Sequence, residues 1–118
     1  MAKFALLLHD MPGDYAKLSP SEIERMIGAY IAWSKDLAKR GKLINGEKLS
    51  DQGGRHLRMR NGKVQGSDGP YAETREIVGG LYLISADNLA EAEALAGTCP
   101  HLNYGKNSWI ELRPIDQM

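Results

Sequence analysis

The stretch SPSEIERMIGAYIAWSKDLAKRG, residues 19–41, decides the fold. Ser19 with Glu22 three residues later has the pattern of a capping box, and Pro20 falls at the first helical position, where the missing N–H of proline costs nothing. Apolar residues then recur at spacings of three and four, and charged residues occupy the other face. A cationic last turn and a glycine close the pattern. The sequence therefore predicts one amphipathic helix over about residues 20–40.

The residues before this helix predict a central strand. KFALLL, residues 3–8, is a short apolar run that ends at His9-Asp10 and is followed by turn residues. Such a bounded apolar run is typical of a strand that is buried on both faces.

Beyond the helix, residues 43–49 are predicted to be extended, and a β-hairpin follows. RHLRMR, residues 55–60, alternates polar and apolar side chains and ends at Asn61-Gly62, the dipeptide best suited to a two-residue type I′ turn. Residues 63–65 form the return strand. Because most of its side chains are polar, we expect the hairpin to be half exposed.

The second half of the chain predicts two strands and a helix. Residues 77–85 are rich in apolar side chains and predict a second core strand, in which Gly79-Gly80 indicates a bulge or a close backbone approach. Either Asp87 or Asn88 is suited to cap a short helix. Residues 108–114 alternate as a final strand.

The predicted order of strand, helix, strand, inserted hairpin, strand, helix, strand indicates an α+β fold. It is the βαββαβ order of a ferredoxin-like sandwich, with both helices on one face of an antiparallel sheet. The other face would stay bare, and pairing two such faces would bury both, so we expect a homodimer. We expect one domain over residues 1–118.

Composition excludes several functional classes. Fifteen basic and fifteen acidic side chains cancel without a long run of one sign, so we expect no nucleic-acid partner and no membrane surface. The single cysteine, Cys99, rules out an internal disulfide, and the apolar run at residues 4–8 is too short for a signal peptide or a membrane span. We therefore expect a cytoplasmic protein. Histidine spacings and glycine motifs predict neither a metal nor a nucleotide cofactor.

The stretch SDGPYAET, residues 67–74, combines a turn with side chains that a turn does not require. Asp68 can accept backbone hydrogen bonds, Gly69 permits a positive φ, and Pro70 fixes its own φ, which together favour a rigid bend. The alternative to this structural role is a reacting carboxylate at Asp68.

The side chains after this bend are candidates for a ligand site, because a rigid turn is a good mount for groups that meet a ligand. Glu73 would be a general acid or base, and Tyr71 a stacking or hydrogen-bonding wall. A surface ion pair of Glu73 with Arg75 or Lys63 is an equally acceptable interpretation.

Two of the three histidines are candidate site residues. His9 follows the central strand, where clefts form, and its imidazole would titrate near neutral pH, although a solvated role is the alternative. His101 lies in a loop after the second helix and is a candidate ligand contact. His56 lies on the polar hairpin and is assigned to the surface. Tyr30 and the two tryptophans would wall a pocket or belong to the core or an interface.

Four short motifs occur in order along nearly the whole chain: DGPYAET at residues 68–74, GGLY at 79–82, CPHL at 99–102 and IELRPI at 110–115. With these four motifs in this order, the chain resembles the YCII-related proteins and, within them, the DGPF-type subfamily. In that subfamily, phenylalanine usually stands at the position of Tyr71. The resemblance implies a dimeric α/β-barrel fold and implies little about activity.

The resemblance also bears on the site. Members of the wider family carry a cleft histidine on the first helix with an acidic partner, and these positions correspond to Tyr30 and Cys99 here. The resemblance therefore implies a ligand-facing position for Tyr30, and it implies that any catalysis recruits groups other than a simple histidine–acid dyad.

Two functions remain open from the sequence. The first is binding of a small organic molecule in a cleft beside the sheet, with acid–base chemistry by His9, Asp68 or Glu73. The second is a non-catalytic dimeric module that serves assembly or regulation. Convergence of the polar side chains around a concave pocket would favour the first.

Overall fold

The computed structural model of the chain describes residues 1–51, 53–69 and 75–117. The fold is α+β, with two α-helices and antiparallel sheets. Its elements are β1 (Ala2–Asp10), α1 (Pro20–Lys39), β2 (Leu43–Lys48), β3 (Gly54–Arg60), β4 (Lys63–Gly69), β5 (Ile77–Ala86), α2 (Leu89–Ala96) and β6 (Trp109–Pro114). Two short 3-10 helices that the sequence did not predict, Pro12–Tyr15 and Pro100–Asn103, follow β1 and α2.

Four strands form the main sheet in the order β2-β5-β1-β6, and all neighbours are antiparallel. Strands β3 and β4 pair only with each other within the described residues and form a separate hairpin. The predicted ferredoxin-like α+β arrangement with an inserted hairpin is supported by this order.

Strand β1 is central, as predicted, but its two faces differ. Phe4, Leu6 and Leu8 are buried against residues of both helices, whereas Ala5 and Leu7 on the opposite face are only half-buried. The prediction of burial on both faces was therefore wrong for the single chain, because both helices pack on the same side of the sheet.

The helix ends follow the capping rules. Ser19 Oγ accepts a hydrogen bond from the Glu22 N–H at 3.2 Å, and the Ser19 N–H donates to Glu22 Oε1 at 3.4 Å, so the predicted capping box is confirmed. Of the two candidate caps for α2, Asn88 takes the role, since its Oδ1 accepts from the Glu91 N–H at 2.8 Å.

The hairpin turn is confirmed at Asn61-Gly62, where φ is 51° and 75°, as a type I′ turn requires. The hairpin is longer than predicted, however, because β4 continues to Gly69. Residues 67–69 therefore belong to a strand, and the interpretation of Asp68 and Gly69 as the start of a bend was wrong.

Close packing explains this glycine better than a turn does. A Cβ at Gly69 would lie 2.8 Å from the carbonyl carbon of Arg55 on the paired strand, and its φ is not positive. The Asp68 carboxylate accepts a hydrogen bond from Arg55 Nη1 at 2.7 Å. The rest of the predicted corner, residues 70–74, lies outside the described residues.

The predicted irregularity in β5 is a bulge. Leu8 of β1 is opposite Gly80, whereas the next residue, His9, is opposite Val78. Gly79 is the extra residue between these pairs. The bulge therefore returns Ile77, opposite Asp10, to the helix side of the sheet, where it is buried.

Candidate functional site

A cleft of about 760 Å³ lies between α1, β2 and the adjoining parts of β1 and β5. Its size and mainly apolar lining are typical of a small-molecule site. The apolar walls are formed chiefly by Leu8, Ile23, Met26, Ile27, Ile31 and Ile44.

Polar side chains also line this cleft, among them Asp10, Tyr15, Tyr30 and His101. They come from the end of β1, the first 3-10 helix, the middle of α1 and the second 3-10 helix. Two of them, Tyr30 and His101, are ligand-site candidates from the sequence. The structure therefore brings together polar groups that are far apart in the chain.

His101 is held in one orientation. Its Nε2 lies 2.9 Å from the carbonyl oxygen of His9, which can only accept, so Nε2 carries a proton. In the neutral imidazole, Nδ1 then accepts the hydroxyl proton of Tyr30 over 3.1 Å. Because the residue is only 1% exposed, these two bonds fix the ring between β1 and α1.

Asp10 occupies a niche that depends on the bulge in β5. A Cβ at Gly79 would lie 2.9 Å from each oxygen of the Asp10 carboxyl group, so a larger residue there would displace it. Burial raises the pKa of Asp10 above its ordinary value, while nearby His101 and a hydrogen bond from Tyr15 oppose that rise.

The two tyrosines act as proton donors at this site. Burial raises the pKa of Tyr15 to about 12, and burial also raises the pKa of Tyr30. Both hydroxyls therefore keep their protons near neutral pH. The Tyr15 hydroxyl also lies 2.9 Å from Ser108 Oγ, which fixes its position beside Asp10.

The chemistry available here is proton transfer in a largely apolar space. Asp10 is a carboxyl group whose charge is disfavoured by its surroundings, and such groups serve as general acids or bases. Tyr15 and Tyr30 supply hydroxyls that would orient a polar group of a ligand. Among the described residues, no three histidine, cysteine, aspartate or glutamate side chains come together in an arrangement suited to a metal ion.

The imidazole of His9 lies on the opposite face of the sheet. It stacks on Trp109 with ring centroids 4.0 Å apart, and its Nε2 and Nδ1 lie 3.1 Å from Glu111 and 3.4 Å from Glu76. Trp109 Nε1 donates to the same Glu76 oxygen at 2.7 Å. The side chain of His9 therefore does not line the cleft, and its backbone carbonyl is the part that contacts the cleft residue His101.

The remaining sequence candidates lie elsewhere. Asp68 is on the hairpin, where its side chain is fully exposed and paired with Arg55, and it does not line the cleft. Tyr71 and Glu73 lie outside the described residues, so their roles stay predictions. Cys99 is buried, and burial raises the pKa of its thiol to about 11, which disfavours a nucleophilic thiolate.

Sequence reasoning missed Asp10 and Tyr15. The alternation of side chains along β1 could have identified Asp10, because residues 4, 6, 8 and 10 lie on the same face of the strand and the first three are apolar. No comparable signal marks Tyr15, which reaches the cleft through a 3-10 helix that the sequence pattern did not indicate.

Comparison with known proteins gives one result that covers almost the whole chain. Residues 2–118 match the family model described as YCII-related domain. A search among curated proteins found no match. No helix in the described part of the chain is long and apolar enough to cross a bilayer.

Proposed function

Because the chain belongs to the YCII-related domain family, we propose that it is a DGPF-type member that binds a small organic molecule in the cleft and transfers a proton through Asp10. The observation that carries this proposal is the half-buried Asp10 carboxyl group, with its raised pKa and its niche over Gly79, at the wall of a largely apolar cleft. A carboxyl group is costly in such a place, and natural proteins keep such groups at functional sites.

The ligand class follows from the lining. Most of the α1 lining, together with Leu43 and Ile44 of β2, is apolar, so the body of the ligand should be apolar as well. The polar groups around Asp10 are its own carboxyl group, two tyrosine hydroxyls and a buried imidazole. They suit a ligand with one hydroxyl or carbonyl group and an exchangeable proton, and Tyr30 and His101 would hold that group in place.

The first experiment is a screen of small apolar-bodied compounds by thermal shift, followed by amide chemical-shift mapping of the hits. We expect the shifts to cluster at Asp10, Tyr15, Tyr30 and His101. Hits that perturb only the β3–β4 hairpin, or only the His9–Trp109 face, would contradict the proposal.

A charge placed in the apolar wall should weaken binding. Ile31 lines the cleft and is half exposed, so Ile31→Glu removes little from the core. We expect the Kd of a hit to rise about 10- to 100-fold, since burying an unpaired carboxylate against an apolar ligand costs roughly 1–3 kcal/mol.

The matched control is Ala32→Glu, which adds the same charge at the next, exposed position of α1, outside the cleft. Its Kd should stay near that of the unmodified protein. Equal weakening by both variants, measured by isothermal titration calorimetry, would show that the apolar wall does not bind the ligand.

We further propose that the chain forms, as one domain over residues 1–118, a homodimeric α/β barrel through the sheet face opposite the helices. The half-buried apolar residues Ala5, Leu7, Leu81 and Leu83 of the two central strands support this proposal. Pairing two such faces would remove this apolar surface from water.

Light scattering tests the dimer directly. At low micromolar concentration we expect a mass about twice the 13.0 kDa of the chain. A monomer with a well-folded circular dichroism spectrum would contradict the dimeric barrel, and the cleft proposal would stand independently of that result.

The non-catalytic alternative, a dimeric assembly or regulatory module, is favoured by one observation. The hairpin exposes large apolar side chains that take no part in the cleft of their own chain. A protein that bound no compound but still self-associated through the hairpin would have this second function.

A further inference from the structure

The β3–β4 hairpin exposes an apolar face. Leu57, Met59 and Val64 are 68%, 66% and 65% exposed, and all three point to the same side, because Met59 pairs with Val64 and side chains alternate along a strand. Contiguous apolar surface of this kind marks an interaction site.

The hairpin stands away from its own chain. Of the residues in β3 and β4, Gly69 alone is buried. The radius of gyration is 16.1 Å, whereas a compact chain of this length would have about 13.5 Å. The apolar face is therefore free to contact another molecule.

A second apolar surface lies at the rim of the cleft. Ile27 and Ile31 of α1 are 51% and 50% exposed, and Ile44 of β2 is 45% exposed. Ile44 lies where the register between β2 and β5 shifts, and it lines the cleft beside the two α1 residues. The cleft is thus open on a side that apolar residues surround.

The two surfaces also differ in charge. The hairpin, residues 54–69, carries a net charge of +3, and the rest of the neutral chain therefore carries −3. Four charged side chains line the cleft: Asp10, Glu47, Lys48 and Asp51. Acidic groups are in excess there, so a basic segment with an apolar face is complementary to it.

We propose that the hairpin of one copy of this chain docks its apolar face on the cleft rim of a second copy, so that each cleft is closed by the partner. A two-fold pair satisfies both surfaces at once, because each copy supplies one hairpin and one rim. Strands of seven residues reach about 23 Å, which is sufficient to cross a cleft of this size. The inference rests on the proposed function only in treating the cleft as a ligand site.

Disulfide trapping between two variants, each with one added cysteine, tests the contact. Met59→Cys and Ile27→Cys both replace exposed side chains, so neither removes core packing. The native Cys99 does not compete at pH 8, because it is buried and its thiol pKa is raised to about 11. Mixed in equal amounts and mildly oxidised, the two variants should give a covalent heterodimer, identified by peptide mapping.

The control pair is Met59→Cys with Glu93→Cys, an exposed position on α2 outside the cleft. We expect the Met59–Ile27 pair to give several-fold more heterodimer than this control. Equal yields would overturn the proposal. So would a link that forms only within the double variant Met59→Cys/Ile27→Cys at high dilution, since the hairpin would then close its own cleft.

A labelling experiment gives a second readout that does not depend on trapping. In Ile27→Cys protein, a bulky maleimide should react several-fold faster when Leu57, Met59 and Val64 are also changed to serine. The matched control changes His56 and Gln65, on the other face of the hairpin, to serine and should leave the rate unchanged. Unchanged rates in both backgrounds would overturn the proposal.

The outcomes separate this inference from the proposed function. An absent cross-link with ligand binding intact would reject the hairpin contact alone. An efficient cross-link in a protein whose cleft binds no compound would reject the ligand site and keep the contact. Protection of the hairpin by an added polyanion, without self-association, would assign its basic face to an anionic partner and reject the contact.

Discussion

Asp10→Asn is expected to lower the turnover of a cleft substrate by about 10²- to 10⁴-fold, because proton transfer by a positioned side chain contributes that much. Asparagine keeps the shape of the side chain and can still accept a hydrogen bond from Tyr15, but it cannot take up a proton. The Kd should therefore change little while kcat falls. Both are measured on a compound from the binding screen.

The matched control is Asp51→Asn. Asp51 also lines the cleft, but its carboxylate is exposed and paired with Lys48 at 3.2 Å. Its removal should leave kcat within a few-fold of the unmodified protein. Equal loss of turnover in both variants would point to the overall charge of the cleft, and an active Asp10→Asn variant would exclude this carboxyl group from the reaction.

The stability of Asp10→Asn should change in the opposite direction. Because the pKa of Asp10 is raised in the folded state, the proton is held more tightly there than in the unfolded chain. The stability that this proton contributes is fully present below the ordinary pKa of 3.8 and is lost as the pH rises through the folded-state pKa. At pH 7 the variant should therefore be at least as stable as the unmodified protein.

The pH dependence of turnover gives the matching signature. If Asp10 acts as a base, the rate rises as the pH increases through its raised pKa, and this acidic limb disappears in Asp10→Asn. A loss of both stability and activity would indicate a structural carboxylate. A loss of activity together with unchanged or higher stability would identify a group that is kept for its chemistry although it destabilises the fold.

His101→Leu is expected to lower the free energy of unfolding by roughly 2–4 kcal/mol, because each buried polar group left without a partner costs about 1–3 kcal/mol. Leucine fills much of the space, but the His9 carbonyl and the Tyr30 hydroxyl both lose their hydrogen bond. Urea denaturation at pH 7 measures the change. His56→Leu, at an exposed hairpin position, should alter stability by no more than about 0.5 kcal/mol.

A double-mutant cycle with Tyr30→Phe separates the hydrogen bond from general packing. In the unmodified protein, Tyr30→Phe removes the proton that Nδ1 of His101 accepts. In the His101→Leu background the hydroxyl has already lost this partner, so its removal should cost less or even stabilise. Strictly additive costs would show that the two residues do not act as a pair.

Local signals predicted most of the fold. The capping box at Ser19 and the Asn61-Gly62 turn each depend on interactions within a few residues of the chain, so both can be predicted from the local sequence. The glycine pair at residues 79–80 indicated the bulge for the same reason. The corner at residues 67–69 was misjudged because turn-forming residues also fit an exposed strand when a close neighbour, here Arg55, requires glycine.

The site was less predictable because it is non-local. The Tyr30–His101 hydrogen bond joins residues 71 positions apart. The sequence identified both as candidates but not as a pair. Asp10 was passed over in favour of its neighbour His9, since a strand interpreted as buried on both faces gives no reason to choose between adjacent residues. The two residues differ because both helices pack on one side of the sheet, so that Asp10 faces the cleft and the His9 side chain faces away from it.

The cleft depends on the number of residues in β5 as well as on their identity, because the extra residue at Gly79 leaves room for the Asp10 carboxyl group. A relative without the extra residue would have an unbroken ladder between β1 and β5, in which Gly80 and Val78 are consecutive and still lie opposite Leu8 and His9. It would keep every polar group of the cleft and lose the gap that receives the carboxyl group. Relatives that share this chemistry should therefore have a β-bulge at the same position, in addition to the same polar residues.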